Sequence, residues 1–263
     1  MRGSAHGVTV ARTGPVAVWT ISRPESKNAL ALATLEELLA VAQRAGADVD
    51  IRAAVLTGAG DVFVSGADLN ELREATSAED AARFSDLGVA LALAYSRLPY
   101  PVICAMEGPA IGGGAELACM CDLRICDARA TFSFKHVRMG TTTAWGTTAR
   151  LVSLVGPARA ARLLYTAHEV GADEALAMGL VDAKAEWDRM ALDLAVAWGH
   201  DIALGSPTAV AEIKRNLVAN VTTDESIAFF ERSAFVSTWT KDDRKEAVEA
   251  YFARRPPAWK PRA

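Results

Sequence analysis

The order in which strand and helix patterns follow one another is the feature that most constrains this fold. Residues 16–21 and 53–57 are continuous apolar runs typical of buried strands, and residues 30–46 between them have helical periodicity. Another strand is predicted at residues 102–106. Because strand–helix–strand order is typical of sheets covered by helices, the pattern predicts an α/β fold.

Helical patterns dominate the chain after residue 145. The predicted helices there cover residues 158–166, 173–178, 187–204, 208–220, 224–240 and 242–254. Before residue 145, further strands are predicted at 123–125 and 131–134, a short helix at 69–74 and a longer helix at 78–97. We find neither a fixed-period repeat nor a long linker, so residues 1–263 are predicted to form a single domain with an extended, proline-rich tail.

Composition and charge narrow the possible partners. The 263 residues are 51% hydrophobic and 23% charged, which is typical of a globular chain, and the net charge of −4 argues against nucleic-acid binding. The longest apolar stretch, residues 89–95, is too short to cross a bilayer, and the first residues lack the apolar segment of a secretory signal. We therefore expect a cytoplasmic protein without a membrane partner or a metal site, whose four cysteines are buried thiols.

Two glycine-rich segments compete as candidate binding sites. Residues 58–63, GAGDVF, follow a strand but lack the third glycine of a dinucleotide-binding fingerprint, so we interpret them as a plain turn. Residues 112–114, GGG, open an apolar helix, although each glycine within a helix costs roughly 1 kcal/mol. The second segment therefore indicates close approach of a ligand to the backbone, with tight packing of helix on strand as the alternative.

Two proton-moving side chains accompany the second glycine segment. Glu116 lies in the helix that the glycines open, and His136 lies twenty residues further on. Backbone N–H groups at a helix start can hold a developing anion. Residues 66–68 end another loop at another helix start, so that an amide from each loop can meet at one carbonyl oxygen. This combination indicates enolate chemistry in an oxyanion hole.

Several segments together resemble the crotonase, or enoyl-CoA hydratase/isomerase, superfamily. They are SGADL at 65–69, GPAIGGGAEL at 108–117 and CDLR at 121–124, and the resemblance extends over about residues 8–261. It implies a crotonase-like ββα spiral over about residues 1–200, followed by a helical oligomerisation region and tail over about residues 201–263. It further implies a homotrimer or a dimer of trimers, and an acyl-CoA thioester substrate that brings coenzyme A as its own part, with no separate cofactor.

The resemblance also implies roles for individual residues. By the superfamily's pattern, the N–H groups of Ala67 and Gly113 form the oxyanion hole, and Glu116 is a catalytic residue. The same pattern implies contacts with coenzyme A from five further residues: Lys27, Asp68, Leu69, Trp259 and Lys260.

One position departs from the hydratase pattern, because His136 stands where hydratases of the superfamily carry a second glutamate. Residues 134–140, FKHVRMG, and 144–151, AWGTTARL, resemble the branch that decarboxylates ethylmalonyl-CoA and methylmalonyl-CoA, although TTTA at 141–144 lacks that branch's proline. Loss of CO₂ gives the same enolate without proton abstraction from carbon. We expect His136 to orient the carboxylate or reprotonate the α-carbon, Glu116 to assist proton delivery, and Trp145 to narrow the acyl pocket.

Three functions remain open at this point. The first is a lyase that decarboxylates a 2-alkylmalonyl-CoA, the second an enoyl-CoA hydratase that uses Glu116 and His136, and the third a catalytically silent acyl-CoA-binding homologue. Structural roles also remain open, since His136 and Trp145 can be core residues and Glu116 a carboxylate favoured by the helix dipole. RNA binding is disfavoured by the acidic charge balance.

Overall fold

A computed structural model describes residues 7–186, 190–220 and 225–258. The strands are β1 (Val8–Thr13), β2 (Val16–Ile21), β3 (Ala53–Gly58), β4 (Val102–Met106), β5 (Ala110–Ile111), β6 (Leu123–Cys126), β7 (Thr131–Ser133), β8 (Val170–Gly171) and β9 (Ala183–Lys184). The helices are α1 (Leu32–Gly46), α2 (Leu69–Glu74), α3 (Ala78–Arg97), α4 (Gly113–Met120), α5 (Thr147–Val155), α6 (Pro157–Thr166), α7 (Ala172–Met178), α8 (Ala191–Ala203), α9 (Pro207–Asn220), α10 (Glu225–Trp239) and α11 (Asp242–Phe252).

The larger sheet has six strands in the order β1-β2-β3-β4-β6-β9. Strands β2, β3, β4, β6 and β9 pair in parallel, and β1 is an antiparallel edge strand on β2. A smaller sheet, β5-β7-β8, lies beside it, with β5 parallel to β7 and β8 antiparallel. This architecture confirms the predicted α/β fold.

Both faces of the large sheet are covered, which explains why its central strands are apolar without alternation. Every residue of β3 and of β4 is buried. The main core lies on the face covered by α1, α3 and α4. A second core, built around Val55 and Ile103, is closed by α8 on the opposite face. The ends of the strands and the loops that follow them are thereby held in fixed positions.

The helices next to the candidate site begin directly after N-capping residues. Asp68 precedes α2 and its side chain accepts a hydrogen bond from the Asn70 N–H at 3.1 Å. Ser77 and Asp80 form a capping box at the start of α3. The predicted ranges 69–74 and 78–97 are thus confirmed. Strand β1 and the two-residue strands β5, β8 and β9 were not predicted.

Two of the C-terminal helices, α10 and α11, pack against elements that surround the candidate site. Helix α10 packs along α3, and α11 contacts the 3₁₀ turn of residues 135–139. Helix α8 begins at Ala191 inside the predicted range 187–204, of which residues 187–189 lie outside the described part. Residues 256–258 are non-helical, as the prolines predict, and the rest of the predicted tail also lies outside the described part.

Two further sequence expectations concern membranes and thiols. No helix in the described ranges is long and apolar enough to cross a membrane. The four cysteines are free and buried, as predicted. Burial raises the pKa of Cys119 to about 12, so that its thiol stays uncharged at neutral pH.

Candidate active site

The loop before α2 presents the Ala67 N–H away from its neighbouring chain segment. Ala67 forms a parallel bridge with Leu30, in which the Leu30 N–H donates to Gly66 O at 2.7 Å and the Asp68 N–H donates to Leu30 O at 3.0 Å. A bridge of this kind uses the groups on either side of Ala67, so its own N–H points to the opposite side. Gly66 has φ +110°, a conformation that favours glycine, and makes this turn possible.

A second amide comes from the glycine segment at the start of α4. Gly113 is the first residue of that helix, so its N–H has no partner within the helix. Gly112 donates to Ser133 O at 2.7 Å and has φ +52°. In the described part of the chain, no acceptor is bonded to the N–H of Ala67 or of Gly113. Both amides are therefore available to a ligand.

Backbone contacts hold the two loops side by side. The Ile111 N–H donates to Val64 O at 2.9 Å, and the Val64 N–H donates to Pro109 O at 3.2 Å. A Cβ on Gly66 would lie 3.1 Å from Ile111 O and 4.0 Å from Gly113 N. The φ of Gly66 favours glycine here, and the tight contact places the Gly113 N–H next to the residue that precedes Ala67.

Both amides border a cavity of about 560 Å³. Glu116, His136 and Lys135 also line it. Its remaining lining includes an apolar side that α2, α3, α10, α11 and the 3₁₀ turn contribute, namely Leu72, Phe84, Met139, Phe235, Trp239 and Tyr251. The cavity thus joins hydrogen-bond donors, proton-moving groups and an apolar wall, as expected of a pocket for a small ligand.

Glu116 is almost fully buried, with 2% of its surface exposed, and both of its carboxylate oxygens are bound. Its Oε2 accepts from the N–H groups of Ala144 at 3.1 Å and Trp145 at 3.3 Å and from the Thr147 hydroxyl at 2.6 Å. Its Oε1 lies 2.9 Å from His136 Nε2. Because backbone amides can only donate, the first oxygen is a fixed acceptor and the second is the one that can exchange a proton.

His136 reaches Glu116 from the 3₁₀ turn between β7 and the threonine-rich loop. Its side chain is 12% exposed, and with Glu116 as a carboxylate its Nε2 must donate the shared hydrogen bond. Its Nδ1 is buried without a partner in the described structure. An imidazole bound on one nitrogen by a carboxylate and without a partner on the other keeps a free lone pair that can accept a proton.

Trp145 lies next to the cavity but is separated from it by residues that line it, such as Phe84. Its ring is buried and stands 5.3 Å from the ring of Phe84, centroid to centroid, and Phe84 lines the cavity. The ring also occupies the space beside Gly88 and Gly113, where a Cβ on Gly113 would come within 3.1 Å of it. Trp145 therefore shapes the pocket through Phe84 and the start of α4, without being among the lining residues.

The residues expected to contact coenzyme A fall into two groups. Lys27, Asp68 and Leu69 line the same cavity, and Asp68 is also paired with Arg23 at 3.1 Å. Trp259 and Lys260 lie outside the described residues. Within the described ranges, no cluster of three histidine, cysteine or acidic side chains is arranged to hold a metal ion.

Sequence reasoning missed one acidic residue next to this site. Glu231 of α10 is buried and binds Thr143 and Thr148, which flank the donors to Glu116. Burial, together with the negative charge of Glu116, raises the pKa of Glu231 above its usual range. The run of threonines at 141–148 was the available signal, since buried hydroxyls need acceptors.

Comparison with known proteins gives consistent results over nearly the whole chain. The profile of a family described as enoyl-CoA hydratase/isomerase matches residues 11–262. A short-chain-enoyl-CoA hydratase of Clostridium acetobutylicum is 36% identical over 252 residues, which cover 95% of this chain and 96% of the relative. A crotonyl-CoA hydratase of Syntrophomonas wolfei is 35% identical over 242 residues, or 91% of this chain and 92% of the relative.

Solved structures agree with these relatives. A crystal structure of an enoyl-CoA hydratase from Mycobacterium avium subsp. paratuberculosis superposes with a TM-score of 0.87 at 26% identity, over 97% of this chain and 99% of the other. An enoyl-CoA hydratase from Bacillus anthracis has a TM-score of 0.78 at 30% identity, again over 97% and 99% of the two chains.

Proposed function

The chain belongs to the enoyl-CoA hydratase/isomerase family of the crotonase superfamily, and from this premise we propose that it adds water to a short-chain 2-enoyl-CoA. An acyl-CoA enzyme of this family needs an oxyanion hole and a means of moving protons. The observation that carries the proposal is the 2.9 Å contact between His136 Nε2 and Glu116 Oε1 at the edge of a cavity that both free amides border. The hydratases among its relatives support the same reaction.

In the proposed hydration, the two backbone amides stabilise charge, and the Glu116 and His136 pair transfers protons. The N–H groups of Ala67 and Gly113 hold the thioester oxygen, so that negative charge can move onto it as water attacks the β-carbon. The Glu116 and His136 pair takes one proton from the water and supplies one to the α-carbon. The pair therefore ends the reaction with as many protons as it began with. For this reason His136 can stand in for the second glutamate of the hydratase pattern without changing the number of protons transferred.

Decarboxylation of a 2-alkylmalonyl-CoA is the second candidate, and one observation favours it. His136 stands where a hydratase of this superfamily carries a second glutamate, and Lys135 beside it also lines the cavity, with its Nζ 3.9 Å from Glu169 Oε2. Two groups that can be cationic attract the carboxylate of a malonyl thioester, whereas a second glutamate would repel it. The oxyanion hole then stabilises the enolate left by CO₂, and His136 returns a proton to carbon.

A parallel assay distinguishes the candidates. We would incubate the purified chain with crotonyl-CoA, methylmalonyl-CoA and ethylmalonyl-CoA, and follow loss of enoyl absorbance and release of CO₂. Hydration without CO₂ supports the first proposal, and CO₂ release without hydration overturns it in favour of the second. Acyl-CoA binding without turnover in any arm indicates a silent homologue.

A single substitution sharpens this assay. His136→Glu restores two carboxylates at the site, so we expect the ratio of hydration to decarboxylation to rise. An unchanged ratio would show that His136 does not select between the two reactions. The binding of a saturated acyl-CoA serves as the control for an intact pocket.

We also propose that the chain assembles as a homotrimer or a dimer of trimers. The support from this structure is an apolar stripe on α9, where Ile213 is 58% and Leu217 63% exposed. Light scattering on the purified protein would measure the mass of the assembly, and a monomer would contradict the proposal.

A further inference from the structure

Glu231 is a buried carboxylate that the reaction proposed above does not use. It lies on α10, and its Oε1 accepts from the Thr148 N–H at 3.0 Å and from the Thr148 hydroxyl at 2.8 Å. The Thr143 hydroxyl donates to the same oxygen. Oε2 is buried without a partner in the described structure. Glu231 is not among the cavity-lining residues, so it has no direct path to a substrate.

The partners of Glu231 flank the partners of Glu116. Residues 144, 145 and 147 donate to Glu116 Oε2, whereas residues 143 and 148 on either side donate to Glu231 Oε1. The hydroxyl oxygens of Thr143 and Thr148 lie 2.8 Å apart, so Glu231 Oε1 holds both ends of the segment at one point. Segment 143–148 is therefore held between two carboxylates that belong to helices far apart in sequence.

Burial of Glu231 close to Glu116 is unfavourable for the stability of the folded chain. Burying one acid near another is unfavourable, and burial together with the charge of Glu116 raises the pKa of Glu231. An apolar residue at position 231 would avoid that cost but would leave the hydroxyls of Thr143 and Thr148 without their acceptor. The contacts on Oε1 are thus the feature that distinguishes glutamate from an apolar residue at this position.

We propose that Glu231 is a positioning residue for Glu116. By anchoring both ends of segment 143–148, it keeps three donors on Glu116 Oε2 and leaves Oε1 as the oxygen that meets His136. This inference rests on the proposed function for its catalytic consequence, while the anchoring itself is a property of the fold. Without the contacts to Glu231, segment 143–148 can shift, and the Glu116 carboxylate that it binds can rotate away from the oxyanion hole.

Two substitutions test the anchor against a matched control. Glu231→Gln keeps an accepting oxygen at the Oε1 position and replaces Oε2, which has no partner in the described structure, with an uncharged NH₂ group, so we expect turnover to stay within about threefold of the parent. Glu231→Ala removes the acceptor, and we expect kcat to fall about tenfold or more with KM nearly unchanged, since misplaced catalytic groups cost rate more than binding. Glu107→Ala is the control, because Glu107 is also buried and accepts the Leu192 N–H at 3.0 Å, across the sheet at α8.

Amide hydrogen exchange measures the anchor without relying on turnover. Peptides covering residues 144–148 should exchange at least about tenfold faster in Glu231→Ala than in the parent or in Glu107→Ala. Thr143→Val, which removes one hydroxyl at nearly constant shape, should give the same effect more weakly, and it replaces Glu231→Ala if that variant does not fold. Unchanged exchange in these variants, or equal loss of kcat in Glu231→Gln and Glu231→Ala, would overturn the proposal. A parent that shows protected amides but no hydration would instead refute the proposed function alone.

Discussion

The two glycine-rich turns of this chain have similar compositions but do different things. Gly58 ends β3, and a Cβ there would lie 2.1 Å from Phe63 O, within the same loop. A Cβ on Gly114, at the start of α4, would lie 2.2 Å from Val64 O, in the loop that leads to Ala67. The close contact at Gly58 lies within one loop, whereas the close contact at Gly114 is with a backbone segment distant in sequence. Glycine is required in both places, but only the second requirement builds a site.

The acidic residues associated with the two turns, Asp61 and Glu116, differ in how deeply they are buried. Asp61, in the first turn, pairs with Arg129 at 2.8 Å while its side chain is 90% exposed. Glu116, in the helix opened by the second turn, is buried and bound on both oxygens. A carboxylate in water has little influence on chemistry, whereas a buried one next to free amides can move protons.

The largest expected effect is therefore at Glu116. Glu116→Gln keeps the shape and the acceptor for Ala144 and Trp145 but cannot exchange a proton, so turnover should fall about 10²- to 10⁴-fold. Steady-state rates with crotonyl-CoA, or with the malonyl thioester if that is the substrate, measure the loss. Asp61→Asn is the matched control and should change neither rate nor stability by much. Equal rates in the two variants would remove Glu116 from the mechanism.

A methyl group at Gly114 tests the close approach of the two loops. Gly114→Ala places a Cβ against the Val64 carbonyl, which is backbone and cannot turn aside as a side chain can. The start of α4 must move, and with it the Gly113 N–H, so we expect kcat/KM to fall about a hundredfold. Circular dichroism would show whether the variant remains folded. A folded variant with parental kcat/KM would mean that the spacing of the loops does not matter.

Sequence reasoning predicted the helices next to the site accurately because their signals are local. Each predicted range, 69–74 and 78–97, is one continuous stretch of sequence, and the structure places N-capping residues, Asp68 and Ser77, directly before the two helices. Strand β1 was missed because most of its residues are exposed on a sheet edge and it lacks an apolar run. Strands of two residues, such as β5, carry no periodicity at all.

The candidate site could be predicted only in part, for a related physical reason. Glu116 and His136 are accompanied by motif residues nearby, so their pairing was expected. Glu231 lies more than a hundred residues from Glu116 and meets it through a threonine segment, which no local pattern reveals. The position of Trp145 behind Phe84 depends equally on how α3 and α4 pack. Such contacts arise from tertiary structure, not from spacing along the chain.

A smaller effect is expected at Gly113, where the obstacle is a side chain. A Cβ there would lie 3.1 Å from the Trp145 ring, which must give by a few tenths of an ångström. The Trp145 ring also packs tightly against Gly88, so it cannot move far enough to make all of the room for a Cβ. Part of the displacement should therefore be taken up by the Gly113 backbone, including its N–H. We expect Gly113→Ala to lose about tenfold in kcat/KM. Trp145→Phe in the same chain should restore part of this loss, and no restoration would contradict the steric explanation.

The smallest effect belongs to the first turn and should leave catalysis untouched. Gly60 has φ +77° and no neighbour within 4 Å of a Cβ, so alanine there meets only its own backbone strain. The free energy of unfolding should fall by about 1 kcal/mol in Gly60→Ala, and by less in Gly60→Asn, because asparagine tolerates the left-handed conformation. Urea denaturation measures both values, and kcat/KM should equal that of the parent in each. A loss of activity in Gly60→Asn would mean that the first turn also supports the site, and the contrast between the two turns would no longer hold.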